Sequence, residues 1–289
     1  MTATTVPPAT APDAASRPAH EPMGERARWM VKDAIVLTRR GLQRIRHEPM
    51  QLSDVTFQPV IFVLLFAYVF GSAMSIGQGD YKEFLVAGLF GMIIAQTAPG
   101  TTVGITTDMT TGVIDRFRSL PMSRSAVLAG RTLADTCTSA LAVVVVGITG
   151  YLVGWRINNG IADAIAAFAL LLLFAFAVSW CGACLGMVMS NVETAQATAF
   201  MVFLPLTFVS NAFVPTQGLP GWMQPIANWN PISAVAAACR DLFGNPNPSA
   251  RIDVWPMRHP IEATIAWSVL LIAVFAPIAV RLYQQKTAA

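Results

Sequence analysis

Apolar residues fall into six long runs separated by short polar segments. The first covers about 55–75 (VTFQPVIFVLLFAYVFGSAMS), and the second, about 84–107, is interrupted by Gln96, Pro99 and Gly100. The others cover about 126–154, 162–189, 196–214 and 261–282. Each can supply the roughly 20 residues that cross a bilayer. The pattern predicts an all-α polytopic membrane protein with six transmembrane helices. The longest connection, 215–260, is not polar in its first half. Pro215, Pro220, Gly221 and Pro225 break it, while Trp222, Met223, Ile226 and Trp229 are apolar or amphipathic. From Pro231 to Phe243 it reads as one short helix. These features predict a short re-entrant outer hairpin over about 215–243, its irregular backbone covered by protein. Trp222, Trp229 and Trp255 then serve as outer-belt anchors.

A different pattern precedes the first run. Between Arg26 and His47, Trp29, Met30, Ala34, Ile35, Leu37, Leu42 and Ile45 are interleaved with Arg28, Lys32, Arg39, Arg40, Arg44 and Arg46. That suits an interfacial amphipathic helix in the cytoplasmic headgroup plane; an ordinary solvated helix with one packed face is the plainer alternative. Residues 1–25 are Thr-, Ala- and Pro-rich without an apolar core, and read as a disordered tail, not a signal peptide. The organisation is therefore a tail (1–25) and one transmembrane domain (26–289).

Composition agrees with this picture. Charged residues make up 12% and apolar residues 54% of the 289, whereas a soluble domain carries about 25% charge. The net charge of +3 gives no argument for a nucleic-acid partner. Its distribution sets the orientation. Fourteen of nineteen Lys and Arg fall before the first run, between Asp108 and Arg131, or after the last run. Lys82, Arg156, Arg240, Arg251 and Arg258 fall on the other side. The asymmetry places both termini in the cytoplasm of a multi-pass plasma-membrane protein. Cys181 and Cys184 form a CxxC by spacing, but they lie inside a span without a His or acidic neighbour. Small-residue helix packing is the better reading than a metal or redox site.

Catalytic motifs are missing. No GxxxxGK[ST], HExxH or GxSxG occurs, and His20, His47 and His259 are isolated. The sequence nominates no catalytic residue, no metal ligand and no cofactor for this chain. Ion-coupled carriers expose a buried acid as a relay. Here Asp135 and Glu193 fall near the inner ends of the third and fifth runs, where they read as caps or partners of basic residues before they read as relays.

One stretch remains unexplained by spans alone. GVIDRFRSLPMSR (112–124) sets three arginines and an aspartate between two apolar runs. Asp108 can cap a short helix with Val113, Ile114 and Phe117 on one side and Asp115, Arg116 and Arg118 around the other. Pro121 stops it, and Ser123 caps the next helix. A topology anchor on lipid phosphates and a mechanical lever both fit this geometry.

The stretch TTGVIDRFRSLPMSRSAVLAGRTLAD resembles the signature of the ABC-2 type permeases. It is nearest to the daunorubicin-resistance-like drug-efflux permeases, through Gly112, Arg116, Phe117, Leu120, Pro121, Arg124, Gly130 and Arg131. A second match in 203–243 rests on Pro205, Ser210, Phe213, Pro215, Pro220, Trp222, Asn230 and Pro231. The resemblance implies an exporter half that pairs with a second copy of itself and sits on two copies of a cytoplasmic ABC ATPase. ATP and Mg2+ would be bound by that partner. The segment about 110–122 would be the coupling helix, with Ile114, Asp115, Arg116, Phe117, Arg118, Ser119, Leu120, Pro121, Arg124 and Arg131 as the coupling residues. Family members bring the first and fifth spans of opposite protomers together around a central route. That nominates Phe57, Phe62, Phe66, Thr207, Ser210, Asn211 and Phe213 as its lining. The expected cargo is a lipophilic or amphipathic small molecule, which would associate the protein with multidrug efflux and antibiotic resistance. Export of a polysaccharide or lipid-linked glycan, an ion-driven carrier, and a membrane assembly protein that moves nothing are the alternatives.

Overall fold

The computed structural model describes residues 49–71, 80–111 and 124–288. The expected tail, the amphipathic segment 26–47 and the coupling residues Ile114 to Pro121 lie outside these described residues.

The first apolar run forms α1 (Pro49–Leu65), which passes into a π-helical turn at Phe66–Phe70. The second forms two helices, α2 (Tyr81–Ala95) and α3 (Thr97–Thr110), stepped at Gln96. Pro99 is the cause of the step, since it has no N–H to return to the carbonyl of Ala95. Asp80 opens α2, its side chain accepting from the Lys82 amide at 3.0 Å. Then come α4 (Arg124–Val153), α5 (Ile161–Val188) and α6 (Val192–Phe208). The following connection contains α7 (Gln224–Trp229), α8 (Pro231–Phe243) and α9 (Trp255–Arg258), before α10 (Pro260–Ala288) closes the chain.

Among the described residues, four helical stretches are long and apolar enough to cross a membrane: Tyr81–Thr110, Val127–Val153, Ile161–Val188 and Pro260–Lys286. Val55–Val69 and Val192–Phe208 are shorter apolar helices. The protein is thus an all-α, multi-pass membrane protein. Its centre is α5, which packs on α3, α4, α8 and α10. By contrast, α1 leans chiefly on α4, and α6 chiefly on α3. Both leave apolar faces uncovered, with Phe57 65% and Met201 81% exposed.

The seam between α3 and α5 explains the small residues of both helices. Gly182 and Gly186 form a GxxxG on α5, and a Cβ at Gly182 would collide with the Ala98 carbonyl oxygen. A Cβ at Gly186 would lie 2.5 Å from the Thr102 carbonyl oxygen. Close approach lets the Thr102 hydroxyl donate to the Gly182 carbonyl at 3.1 Å, and Thr106 to Gly186 at 2.9 Å. The cysteines follow suit: all four are free thiols, and Cys184 Sγ donates to the Phe275 carbonyl of α10 at 3.0 Å. Helix packing, as expected, is what CGAC serves.

Two expectations need correction. The fifth run was expected to stay helical to about 214, but α6 ends at Phe208. Competing hydrogen bonds stop it. The Ser210 hydroxyl donates to the Thr207 carbonyl at 2.6 Å, and the carbonyls of Asn211 and Ala212 are taken by Arg240 at 2.9 and 3.2 Å. Arg240, counted above as a loop charge, is fully buried in α8. Its guanidinium also donates to the Phe84 carbonyl at 3.1 Å and lies 3.7 Å from the Phe84 ring centre. Gly88 makes room for it, since a Cβ there would strike the Ala212 carbonyl oxygen and Arg240.

Candidate functional site

The C-terminal half of α3 and the N-terminal half of α4 are joined by charge. Arg131 Nη1 donates to Asp108 Oδ2 at 2.8 Å, and its Nε lies 3.2–3.3 Å from the two Asp135 carboxylate oxygens. Asp135 also accepts from the Thr101 hydroxyl at 2.7 Å. The guanidinium crosses the face of Gly104, where a Cβ would overlap it. Arg131 and Asp108 are about a quarter exposed, so each pair contributes on the order of 1 kcal/mol or less. Position matters more than strength here. Asp108 is in the last turn of α3 and Arg131 is two turns into α4, so the cluster ties the two ends of the segment 112–123 together. Of the coupling residues nominated from sequence, Arg131 is in this cluster; Arg124 begins α4. Asp135 is held by a basic residue, as its plainer reading expected. Glu193 is exposed in the first turn of α6, beside the Asn191 cap, whose side chain accepts from the Thr194 amide at 2.7 Å.

At the opposite end, α1 and α6 meet through aromatic rings. Phe62 stacks on Phe66 at 5.9 Å, Phe66 on Phe213 at 4.6 Å, and Phe213 on Phe208 at 5.5 Å. Such pairs contribute about 0.5–1.5 kcal/mol each beyond burial. Three of the nominated route residues, Phe62, Phe66 and Phe213, therefore form one ladder, and Phe208 belongs to it too. Thr207 and Ser210 are buried beside it, and the Thr207 hydroxyl donates to the Phe203 carbonyl at 2.8 Å. Asn211 points into the protein, where its amide nitrogen reaches Ser249 Oγ at 3.2 Å and Met257 Sδ at 3.7 Å. Phe57 stands apart, on the uncovered face of α1.

One side chain fixes the connection between α7 and α8 on α6. Asn230 is 3% exposed and donates to the carbonyls of Leu206 and Val209 at 2.6 and 2.7 Å. Its oxygen accepts from the Ile232 amide at 2.8 Å, which caps α8. It thus serves the C-terminal end of one helix and the N-terminal end of the next. Beyond it, Ile232 and Val235 pack against Gly91 in the middle of α2, and Phe243 reaches Trp155 at the far end of α4, with ring centres 5.0 Å apart. Gly244 ends α8 in the left-handed conformation, φ 70°. The Trp155 indole donates to Asn245 Oδ1 at 2.7 Å and closes that end of the bundle.

Neither Asn230 nor Arg240 was assigned a contact by sequence reasoning. The asparagine before Pro231 was a visible capping signal. The arginine had none, because its partners are backbone carbonyls.

Among the described residues, no group of three His, Cys, Asp or Glu could hold a metal ion. Comparison with known proteins decides what the arrangement belongs to. The profile of the ABC-2 type transporter family matches residues 33–243. The chain belongs to that family. The permease is 36% identical over 249 residues to the daunorubicin resistance ABC transporter permease protein DrrB1 of Streptomyces coeruleorubidus, a match covering 86% of this chain and 85% of that one. The doxorubicin resistance ABC transporter permease protein DrrB of Mycobacterium tuberculosis is 27% identical over 229 residues, or 75% of this permease and 77% of the relative. A probable doxorubicin resistance ABC transporter permease protein DrrC of the same species is 24% identical over 241 residues, 79% and 84% of the two chains. The family match spans the α3–α4 charge cluster, the aromatic ladder and the Asn230–Arg240 helix.

Proposed function

We propose that this permease exports a lipophilic or amphipathic compound as the membrane half of an ATP-driven complex. The observation that carries the reading is the 36% identity to a daunorubicin resistance permease over most of both chains. In this reading six helices span the bilayer, α1 and α6 included, with both termini cytoplasmic and the segment 26–47 in the inner headgroup plane. The hairpin α7–α8 is re-entrant. Supporting this, the start of α8 packs at Gly91, about 15 Å along α2 from Tyr81 at 1.5 Å per residue.

A second copy of the permease covers the bare faces of α1 and α6, and the route runs between them. Two copies of a cytoplasmic ABC ATPase bind ATP and Mg2+ and supply the hydrolysis. The permease contributes the lever and the path. Residues 112–123 take the push through Arg116, Phe117 and Arg118. The Asp108–Arg131–Asp135 cluster passes it to α3 and α4 together. Because α1 leans on α4 and α6 on α3, both walls of the route shift, turning about the ladder at Phe66 and Phe213.

Efflux and ATP hydrolysis of the permease reconstituted with its ATPase test the lever. Charge reversal at Arg116 and Arg118, and Phe117→Ala, are expected to abolish efflux while the protein still inserts. Unchanged efflux in all three removes the coupling role.

A further inference from the structure

A groove of about 600 Å³ lies between α4 and α5, at the end of the bundle that Trp155 closes. None of its lining residues comes from α1 or α6. Ala140, Val144, Gly147, Ile148 and Tyr151 recur at helical spacing along one stripe of α4, and Phe168 and Leu172 supply the α5 side. Gly147 leaves the space open, since a Cβ there would meet the Phe90 ring no closer than 3.9 Å. The floor is set before any ligand arrives. Trp155 is buried, held by its bond to Asn245, and its ring centre is 5.4 Å from that of Phe90, edge to face.

Arg156, just past the end of α4, is the charged member of this lining, which contains no carboxylate. Three contacts set its guanidinium. Nη1 donates to the Tyr151 carbonyl at 2.6 Å and to the Trp155 carbonyl at 2.8 Å, and the group lies 4.0 Å from the Tyr151 ring centre. Among the described residues no carboxylate pairs with it, whereas Arg258 is paired with Asp253 at 2.9 Å. The N–H groups of Nε and Nη2 are likewise without a partner there. That edge of the planar fork offers two parallel donors, the arrangement that matches two oxygens of a phosphate.

Length, polarity and charge choose the occupant. From Ala140 to Leu152 the groove runs about 18 Å along α4, at 1.5 Å per residue. One leaflet of a bilayer offers an acyl chain about 15 Å, half of a hydrocarbon core about 30 Å thick. An extended chain therefore fills the groove from end to end when its headgroup sits at Arg156. The apolar lining leaves the hydroxyls of a sugar or a polar ligand unpaired. It also leaves a choline or ammonium group without a counter-charge, so the net charge of the headgroup must be negative. A soluble anion would satisfy the arginine but would gain nothing from the apolar length.

We propose that this groove binds one acyl chain of an anionic phospholipid from the surrounding bilayer, with Nε and Nη2 of Arg156 donating to its phosphate. The chain lies over Gly147 and bridges α4 to α5, and the bound lipid stabilises that pair of helices in proportion to its occupancy. The site belongs to each protomer singly, and its occupation does not require the export reading.

Native mass spectrometry of the full-length permease in dodecylmaltoside micelles, titrated with dioleoyl-phosphatidylglycerol or dioleoyl-phosphatidylcholine, tests it. The anionic lipid is expected to bind saturably, one per protomer, and about 10-fold or more tighter than the zwitterionic one. Arg156→Gln, at an exposed position where folding is not at stake, is expected to weaken phosphatidylglycerol about 10- to 100-fold, the scale of a lost charged hydrogen bond, and to leave phosphatidylcholine unchanged. Arg156→Lys keeps the charge without the fork and should restore part of the difference. Gly147→Leu fills the groove and is expected to remove saturable binding of both lipids. Glycerol 3-phosphate, which carries the anion without the chains, is not expected to compete. Equal affinity for the two lipids, wild-type affinity in both Arg156→Gln and Gly147→Leu, or competition by glycerol 3-phosphate would overturn the proposal. So would a lipid that binds the monomer and is expelled from the dimer, because the groove would then belong to a second copy.

Discussion

Gly186→Ala puts a single methyl group into the α3–α5 seam, and its cost can be worked from the geometry. The added carbon would sit 2.5 Å from the Thr102 carbonyl oxygen and 3.2 Å from Ile105 Cβ. Ordinary contact begins near 3.4 Å, so the helices must part locally by roughly 0.9 Å, because a packed interior does not yield. The obstacle is backbone, which has no alternative rotamer. Overpacking of this kind costs about 1–3 kcal/mol. Parting also stretches the 2.9 Å bond from Thr106 to the Gly186 carbonyl beyond useful range, and interhelical bonds in membranes average about 0.6 kcal/mol, up to about 1.7. Together the loss is about 2–4 kcal/mol. Thr106→Val keeps the shape and removes only the bond, so it should cost no more than about 1.7 kcal/mol. The measurement is SDS titration of the purified permease in mixed micelles, followed by tryptophan fluorescence. A Gly186→Ala protein within about 0.5 kcal/mol of wild type, or one less affected than Thr106→Val, would refute the seam as the source of the stability.

Asn230→Asp keeps the acceptor that caps α8 but removes both donors. Two buried carbonyls lose their partners at about 1–3 kcal/mol each, so this near-isosteric change should destabilise as much as Asn230→Ala, read by the same titration. Arg240→Lys should fail to replace the arginine, because one ammonium cannot match a planar fork that reaches three carbonyls; folded yield after detergent extraction reports it. A double-mutant cycle on Asp108→Asn and Arg131→Gln should give a coupling of only about 0.5–1 kcal/mol in stability, while either single change lowers efflux in the reconstituted complex. Phe213→Ala removes two ring contacts and is expected to raise basal ATPase activity without cargo, as a loosened outer closure would.

Four of the six expected spans were legible because bilayer thickness imposes a length that a single chain displays. The step at Gln96 was legible because Pro99 removes a donor. The small residues of CGACLG pointed to close packing, but their partner did not announce itself: Ala98, Thr102 and Thr106 form a ridge only once α3 is known to face α5. Asn230 reads as a cap from its place before Pro231, yet its two bonds back to α6 depend on a chain reversal that spacing does not encode. Arg240 misled outright. A charge counted by position looks like a marker of topology, whereas its three carbonyl partners come from segments 28 to 156 residues away. The cavity of about 190 Å³ lined by Gln58, Gln96 and Asp135 was invisible for the same reason, since α1, α2, α3 and α4 meet to make it.

The uneven attachment of the helices has a mechanical consequence. α3 and α5 are fastened to each other by a seam of small residues, whereas among the described residues α1 leans chiefly on α4 and α6 chiefly on α3, and the two share a ring stack near one end. Such members behave like the two leaves of a hinge whose pin lies at that stack. A small rotation there sweeps the far ends of both helices through the widest arc and leaves the stacked rings with the smallest displacement.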